Sequence, residues 1–175
     1  MRPTADRVRE SLFARIADLS GARVLDAFAG TGALGIEALS RGAASAVFVE
    51  RSAPVLAVLR ENLERLGIAQ AARVVRGEAR AALRRLAAAG ERFDWIFLDP
   101  PYGTGLLPEL LEVAAGLLAD HGQIVLEASR WDPLPLPAGL AILDARPYGD
   151  TVITRLVAAD RPHERPEEGS GNEPE

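Results

Sequence analysis

The chain contains neither cysteine nor lysine. Without cysteine, disulfides and thiol chemistry are excluded outright. All 20 basic residues are arginine. Beside the abundant alanine, that reads as the coding bias of a GC-rich genome and carries little functional weight. Histidine occurs only at His121 and His163, far apart in the chain, which argues against a histidine-based zinc site. No metal is expected. No apolar run approaches the roughly 18 residues that a membrane span needs. The opening MRPTADRVRE has charges where a signal peptide needs an apolar stretch. The expectation is a cytoplasmic protein with no membrane partner.

What is present is a globular composition. Of 175 residues, 48% are hydrophobic, enough for one domain with a real core. The net charge of −5 argues against a general nucleic-acid binder. Most of that charge sits in the tail. Residues 160–175 hold six acids against two arginines and no aliphatic or aromatic side chain. The domain is therefore read as residues 1–159, near neutral, followed by an acidic, disordered tail over 160–175.

Along the chain, helical and strand patterns alternate. Arg2 to Leu19 reads as a helix capped at Thr4, with Val8, Leu12, Ile16 and Leu19 on one stripe and Arg7 and Arg9 off it. Strands follow at Arg23–Phe28, Ala46–Glu50, Arg73–Arg76, Phe93–Leu98 and Gln123–Glu127. Between them, helices are expected at Ala33–Ser40, Pro54–Leu66, Glu78–Ala88 and Leu106–Ala119. Leu56, Leu59, Leu63 and Leu66 form the apolar stripe of the second of these helices. Arg76, Arg80 and Arg84 form a stripe that reads as a solvated face. Trp131–Pro137 reads as a loop. Two last strands, Ala141–Asp144 and Val152–Val157, follow each other without a helix, which predicts an antiparallel hairpin at a sheet edge. The fold class is α/β, with a doubly wound, mostly parallel sheet.

Two sites stand out. The first is the strand–turn–helix over 23–40, with Phe28, Ala29, Gly30, Thr31 and Gly32 in the turn. Its Gly30–Gly35 segment is a literal G-x-G-x-x-G. Glu50, followed by Arg51, ends the next strand at the distance where a carboxylate takes ribose hydroxyls. By itself this pattern fits NAD as well as any nucleotide-type cofactor. Asp26 tips the balance, because a carboxylate there repels a pyrophosphate but helps hold an ammonium group. S-adenosylmethionine has an α-amino group, a sulfonium, a ribose and no phosphate, so it is the expected cofactor. The other reading of Asp26 is a strand-end carboxylate that caps the glycine loop. Glu78 and Ala79, after the third strand, fall where an adenine ring would lie, although Glu78 is equally a helix N-terminal acid.

The second site is Asp99-Pro100-Pro101-Tyr102. The two prolines end the strand and remove two backbone donors. A stiff corner at the carboxyl edge of the sheet then offers a carboxylate, free carbonyls and a ring. Such a corner suits methylation of an exocyclic amine, a weak nucleophile whose lone pair is delocalised into its ring. Asp99 and the Pro100 carbonyl accept from the NH2, and Tyr102 stacks on the base. Arg2, Arg7 and Arg9 are candidates for RNA phosphates or for supporting the active-site loop, and read equally as a solvated helix face. The loop chemistry alone leaves other amines open: adenine or cytosine in DNA, or a protein glutamine. A dehydrogenase with NAD is the remaining enzyme class, and an RNA-binding factor without activity is the non-enzymatic one.

Five stretches together resemble a known family: RPTADRVRESLF (2–13), LDAFAGTGALGIEALSRGA (25–43), FVER (48–51), FDWIFLDPPYG (93–103) and, more weakly, YGDT (148–151). The chain resembles the class I methyltransferases and, more narrowly, the bacterial RsmD-type enzymes. That resemblance implies a seven-stranded sheet in the order 3-2-1-4-5-7-6 with the seventh strand antiparallel. It also implies cofactor contacts around Asp26, Gly30, Gly32, Glu50 and Glu78. The implied reaction is methylation of a guanine N2 in 16S ribosomal RNA, free or in the assembling 30S particle, by a monomer. Members of the family carry a short basic segment ahead of R-P-T; here R-P-T stands at positions 2–4.

Overall fold

The computed structural model describes residues 3–16, 18–101 and 103–160. Arg2, Tyr102 and the tail from residue 161 lie outside the described residues. The apolar runs build a single seven-stranded sheet in the order β3-β2-β1-β4-β5-β7-β6. Strands β1 (Arg23–Asp26), β2 (Ser45–Glu50), β3 (Ala72–Arg76), β4 (Phe93–Leu98) and β5 (Leu118–Ser129) are parallel. The hairpin partners β6 (Leu140–Tyr148) and β7 (Thr151–Ala158) pair antiparallel, and β7 also runs antiparallel to β5.

Alternation along each strand divides the core into two layers. Val24, Phe48, Trp95, Phe97 and Val125 pack beneath α1 (Pro3–Arg15), α2 (Ala33–Ser40) and α3 (Ala53–Arg65). Leu25, Val49, Ile96, Leu98, Ile124 and Leu126 face α4 (Ala79–Ala88) and α5 (Leu107–Ala115). Burial on both faces is why the parallel strands read as nearly continuous apolar runs.

Helix α1 closes one end of the first layer. Leu12 and Phe13 are buried, and the Phe13 ring meets that of Phe97 at 5.8 Å between centroids. Its polar side is tied to the final hairpin. The Ser11 and Tyr148 hydroxyls lie 2.6 Å apart. Arg15 pairs with Asp144 at 3.0 Å, and Arg155 of β7 holds the same carboxylate while donating to the Arg15 carbonyl at 3.4 Å.

Several boundaries differ from the sequence reading. The first helix begins at Pro3, so Thr4 lies inside it, and it ends at Arg15 rather than Leu19. Ile16 and Leu19 are buried all the same. Leu66 lies past the end of α3 and is 54% exposed, whereas Leu56, Leu59 and Leu63 are buried. Helix α5 stops at Ala115, because the Leu117 carbonyl accepts from Phe93 N–H at 2.8 Å and the chain has already joined the sheet. The arginine stripe lies at the solvated surface and carries ion pairs there. Arg80 and Arg84 both reach Glu109 on α5, clamping α4 to its neighbour.

Candidate active site

A row of acidic residues stands at the carboxyl ends of the parallel strands, one for each. Asp26 closes β1, Glu50 closes β2, Glu78 follows β3, Asp99 follows β4, and Glu127 lies near the end of β5. The glycine loop runs among them. Gly30 and Gly32 have φ of 55° and 96°, a left-handed backbone that glycine adopts without steric cost. A Cβ on Gly30 would meet nothing within 4 Å, so that position opens onto free space. A Cβ on Gly35 would lie 2.3 Å from Phe48 Cε1, so the third glycine serves the close packing of α2 on β2.

Two carboxylates hold this loop in shape. Asp26 is 2% exposed and accepts from Gly35 N–H at 3.0 Å. Glu50 accepts from Gly30 N–H at 3.1 Å with one oxygen and from Ser52 N–H at 2.8 Å with the other. Burial raises the Asp26 carboxyl to about 7 against the Gly35 hydrogen bond, and the like charges of Asp99 and Glu50 push the same way. Glu78 caps α4 by accepting from Arg80 N–H at 3.3 Å and Ala81 N–H at 3.2 Å.

A cavity of about 430 Å³ opens over this edge. Phe28, Gly30, Glu50, Arg51, Glu78 and Ala79 line it, together with Asp99, Pro100 and Pro101. Asp26, Ala29, Thr31 and Gly32 do not. Asp26 stands behind the loop, and Ala29 N–H donates to the Val49 carbonyl at 2.9 Å. The Thr31 carbonyl accepts from Asn62 Nδ2 at 3.0 Å, and Gly32 caps α2. Gly77, which precedes Glu78 and Ala79 after the third strand, lines the cavity too, and Ala27, Val49 and Leu106, which carry no sequence signal of their own, complete the lining.

A second cavity, of about 310 Å³, lies on the other side of the D-P-P corner. Pro100 and Pro101 line both cavities and so form the partition between them. Pro108, Pro133 and Pro135 wall the second cavity, and Glu127 and Asp132 are its acids. Asp99 is exposed to the first cavity yet overhung by protein, and this partial burial raises its carboxyl above the ordinary range. Burial, with the nearby Asp99 charge, raises Glu127 to about 7. Glu127 was missed in the sequence because no glycine or proline flags it. Its one signal is an acid ending an apolar strand, as at Asp26 and Glu50.

Residues 1–157 match the family model described as conserved hypothetical protein 95. Over 146 residues the chain is 42% identical to ribosomal RNA small subunit methyltransferase D of Escherichia coli (strain K12), covering 81% of this chain and 72% of that protein. The chain belongs to the methyltransferase D family. The Haemophilus influenzae protein of the same name is 31% identical over 152 residues, covering 85% of this chain and 79% of its own. A solved structure of a conserved hypothetical protein from Streptococcus pyogenes superposes with a TM-score of 0.79 at 34% identity, covering 89% and 98% of the two chains. The fold of this methyltransferase D family member is that of the class I, S-adenosylmethionine-dependent methyltransferases.

The residues present fit that cofactor. Glu50, Glu78 and Asp99 line the first cavity, and among the described residues Arg51 is the only basic one that does. That balance suits a ligand with a sulfonium and an ammonium and disfavours a pyrophosphate. Each Glu50 oxygen has a second lone pair left over for a ribose hydroxyl. The open space above Gly30 admits a ligand against the backbone.

Proposed function

We propose that this protein transfers the methyl group of S-adenosylmethionine to the exocyclic N2 amine of a guanine in 16S ribosomal RNA. One observation carries the reading: the Pro100–Pro101 corner is a shared wall between an acidic cavity and a proline-lined one. A donor and an acceptor held on its two sides meet at Asp99 and the Pro100 carbonyl. The bound cofactor supplies a methyl group activated by a sulfonium. Glu50 and Glu78 would hold it, with Asp26 fixing the loop from behind.

The chain's own contribution is mostly positioning, which reaches roughly 7–11 kcal/mol in well-oriented systems. The Asp99 carboxylate and Pro100 carbonyl accept hydrogen bonds from the amine and so turn its lone pair toward the donor side. They also stabilise positive charge growing on the nitrogen. Enzymes that act on a base take it out of the stack, and the second cavity is where an extruded base would lodge. Tyr102, by its place beside Pro101, is the candidate stacking ring. The protein is read as a cytoplasmic monomer acting on free RNA or on the assembling particle.

The test uses small-subunit RNA from a strain lacking the gene, both free and as 30S particles, incubated with the protein and methyl-labelled S-adenosylmethionine. The expected result is N2-methylguanosine at one position, mapped by mass spectrometry. Label in another nucleoside, or none despite measurable cofactor binding, overturns the assignment.

A further inference from the structure

Asp99 and Glu127 are neighbours by register. Leu98 of β4 pairs with Leu126 of β5 in parallel, and the two acids are the next residues on their strands. Adjacent strands lie about 4.8 Å apart, so the two carboxylates leave the sheet edge side by side. Asp99 lines the cofactor cavity and Glu127 the proline-walled one, and the two cavities adjoin at Pro100 and Pro101, which line both.

The Glu127 backbone pairs with Ile153 of β7, but its side chain has no hydrogen-bond or ion-pair partner among the described residues. The charge that acts on it is that of Asp99, of the same sign. A carboxylate kept for structure would be partnered, because a half-buried acid without a donor costs stability. No described residue supplies that donor, and the proline-walled cavity that Glu127 lines leaves room for one from a ligand.

We propose, building on the guanine-N2 reading above, that Glu127 reads the N1–H of the target guanine while Asp99 takes the neighbouring N2 amine. Guanine presents two adjacent donors on one edge, an N–H next to an NH2. Adenine and cytosine each place a ring acceptor beside their amine, and that lone pair would face the Glu127 carboxylate. The pair of acids therefore selects guanine by attraction and rejects the other two bases by repulsion. Sites that bond a substrate N–H discriminate strongly against analogues lacking it, because their own polar group is left unpaired. The apolar proline walls raise the stakes by excluding water.

The experiment takes a small-subunit RNA fragment carrying the mapped target position, made with either guanine or 2-aminopurine there. 2-Aminopurine keeps the C2 amine but has an unprotonated N1. Methylation of both is measured for wild type and E127Q at about pH 8, where Glu127 is ionised by linkage to its raised titration. S-adenosylhomocysteine binding is measured alongside and is expected to agree within about threefold, which keeps folding and the cofactor site out of the comparison. Wild type should favour guanine, and E127Q, whose amide can donate to N1, should narrow that preference by at least about tenfold. If E127Q loses S-adenosylhomocysteine binding, E127A takes its place under the same criterion. Equal preference in wild type and variant, or wild type methylating both bases alike, overturns the role of Glu127 and leaves the guanine-N2 reading standing. Failure of wild type to methylate guanine in any substrate overturns both.

Discussion

The hydroxyls of Ser11 and Tyr148 meet at 2.6 Å across 137 residues of sequence. Ser11 belongs to the opening RPTADRVRESLF stretch and Tyr148 to the closing YGDT stretch. The two outlying motifs are therefore halves of one contact that seats α1 on the final hairpin. A typical hydrogen bond contributes about 0.5–1.5 kcal/mol. Ser11→Ala and Tyr148→Phe should each destabilise by about 1 kcal/mol, and the double variant by clearly less than the sum. Urea unfolding of the four proteins measures this; strict additivity would mean the contact is not energetic.

The glycines of the cofactor loop should separate by role. Gly35→Ala sets a methyl group against the Phe48 ring, and overpacking of that kind costs about 1–3 kcal/mol. Gly30→Ala meets no atom but requires a left-handed alanine, at about 1–2 kcal/mol. It also intrudes on the cavity that Gly30 lines. Cofactor affinity, measured by calorimetry, should fall at least about tenfold in Gly30→Ala, or about 1.4 kcal/mol, while Gly35→Ala binds normally once folded. The reverse ordering would detach the cavity from the cofactor.

Asp26 is raised from 3.8 to about 7 by burial. The folded protein then holds a proton that the unfolded chain has released, so stability is fully present below about pH 4 and falls as pH rises toward 7. Glu127, raised from 4.5 to about 7, acts in the same direction over nearly the same window. Asp144 opposes them at the acid end. Burial works to raise it, but the Arg155 hydrogen bond and the charges of Arg155, Arg15 and Arg146 hold it below the ordinary range. Its share of stability is lost as pH falls below about 4. Asparagine mimics the protonated Asp26 and keeps an acceptor for Gly35 N–H. Asp26→Asn should therefore gain on wild type between about pH 5 and about pH 8, read from urea midpoints. An unchanged difference would show that the Asp26 proton is not bound in the fold.

Asp99→Ala should reduce turnover by about 100-fold or more, the scale on which removal of one charge-stabilising group acts. Cofactor affinity should change by less than about tenfold, since Glu50 and Glu78 remain. Single-turnover methylation and equilibrium binding separate the two. Parallel losses would make Asp99 a cofactor-binding residue only.

Sequence patterns reveal the alternation of strands and helices because the parallel strands are buried on both sides and punctuated by glycine and proline. Asp26 and Asp99 are legible because a glycine or proline turn follows each, and Glu50 because it ends the next strand at a set distance from the glycine turn. Glu127 has no such signal, and only the register between Leu98 and Leu126 brings it beside Asp99. The helix ends were set by tertiary pairing rather than by local propensity. The Leu117 carbonyl is claimed by Phe93, so α5 stops short of where its leucines would carry it. The ion pairs of Arg80 and Arg84 were hidden for the same reason, since their partner Glu109 lies on a helix that no periodicity in α4 can reveal.

The placement of β7 between β5 and β6 has a consequence for how the chain is made. A strand synthesised last occupies an interior position, and β6, finished before it, has no neighbour until residues 151–158 arrive. Helix α1, made before the strands, likewise waits for Tyr148, Asp144 and Arg155. During translation the strands carrying Asp26, Glu50 and Asp99 can assemble early, while the acceptor side stays open along the β5 edge. One late event, the insertion of β7, then seals the sheet and seats α1, so the fold around the site closes only after residues 151–158 have been made.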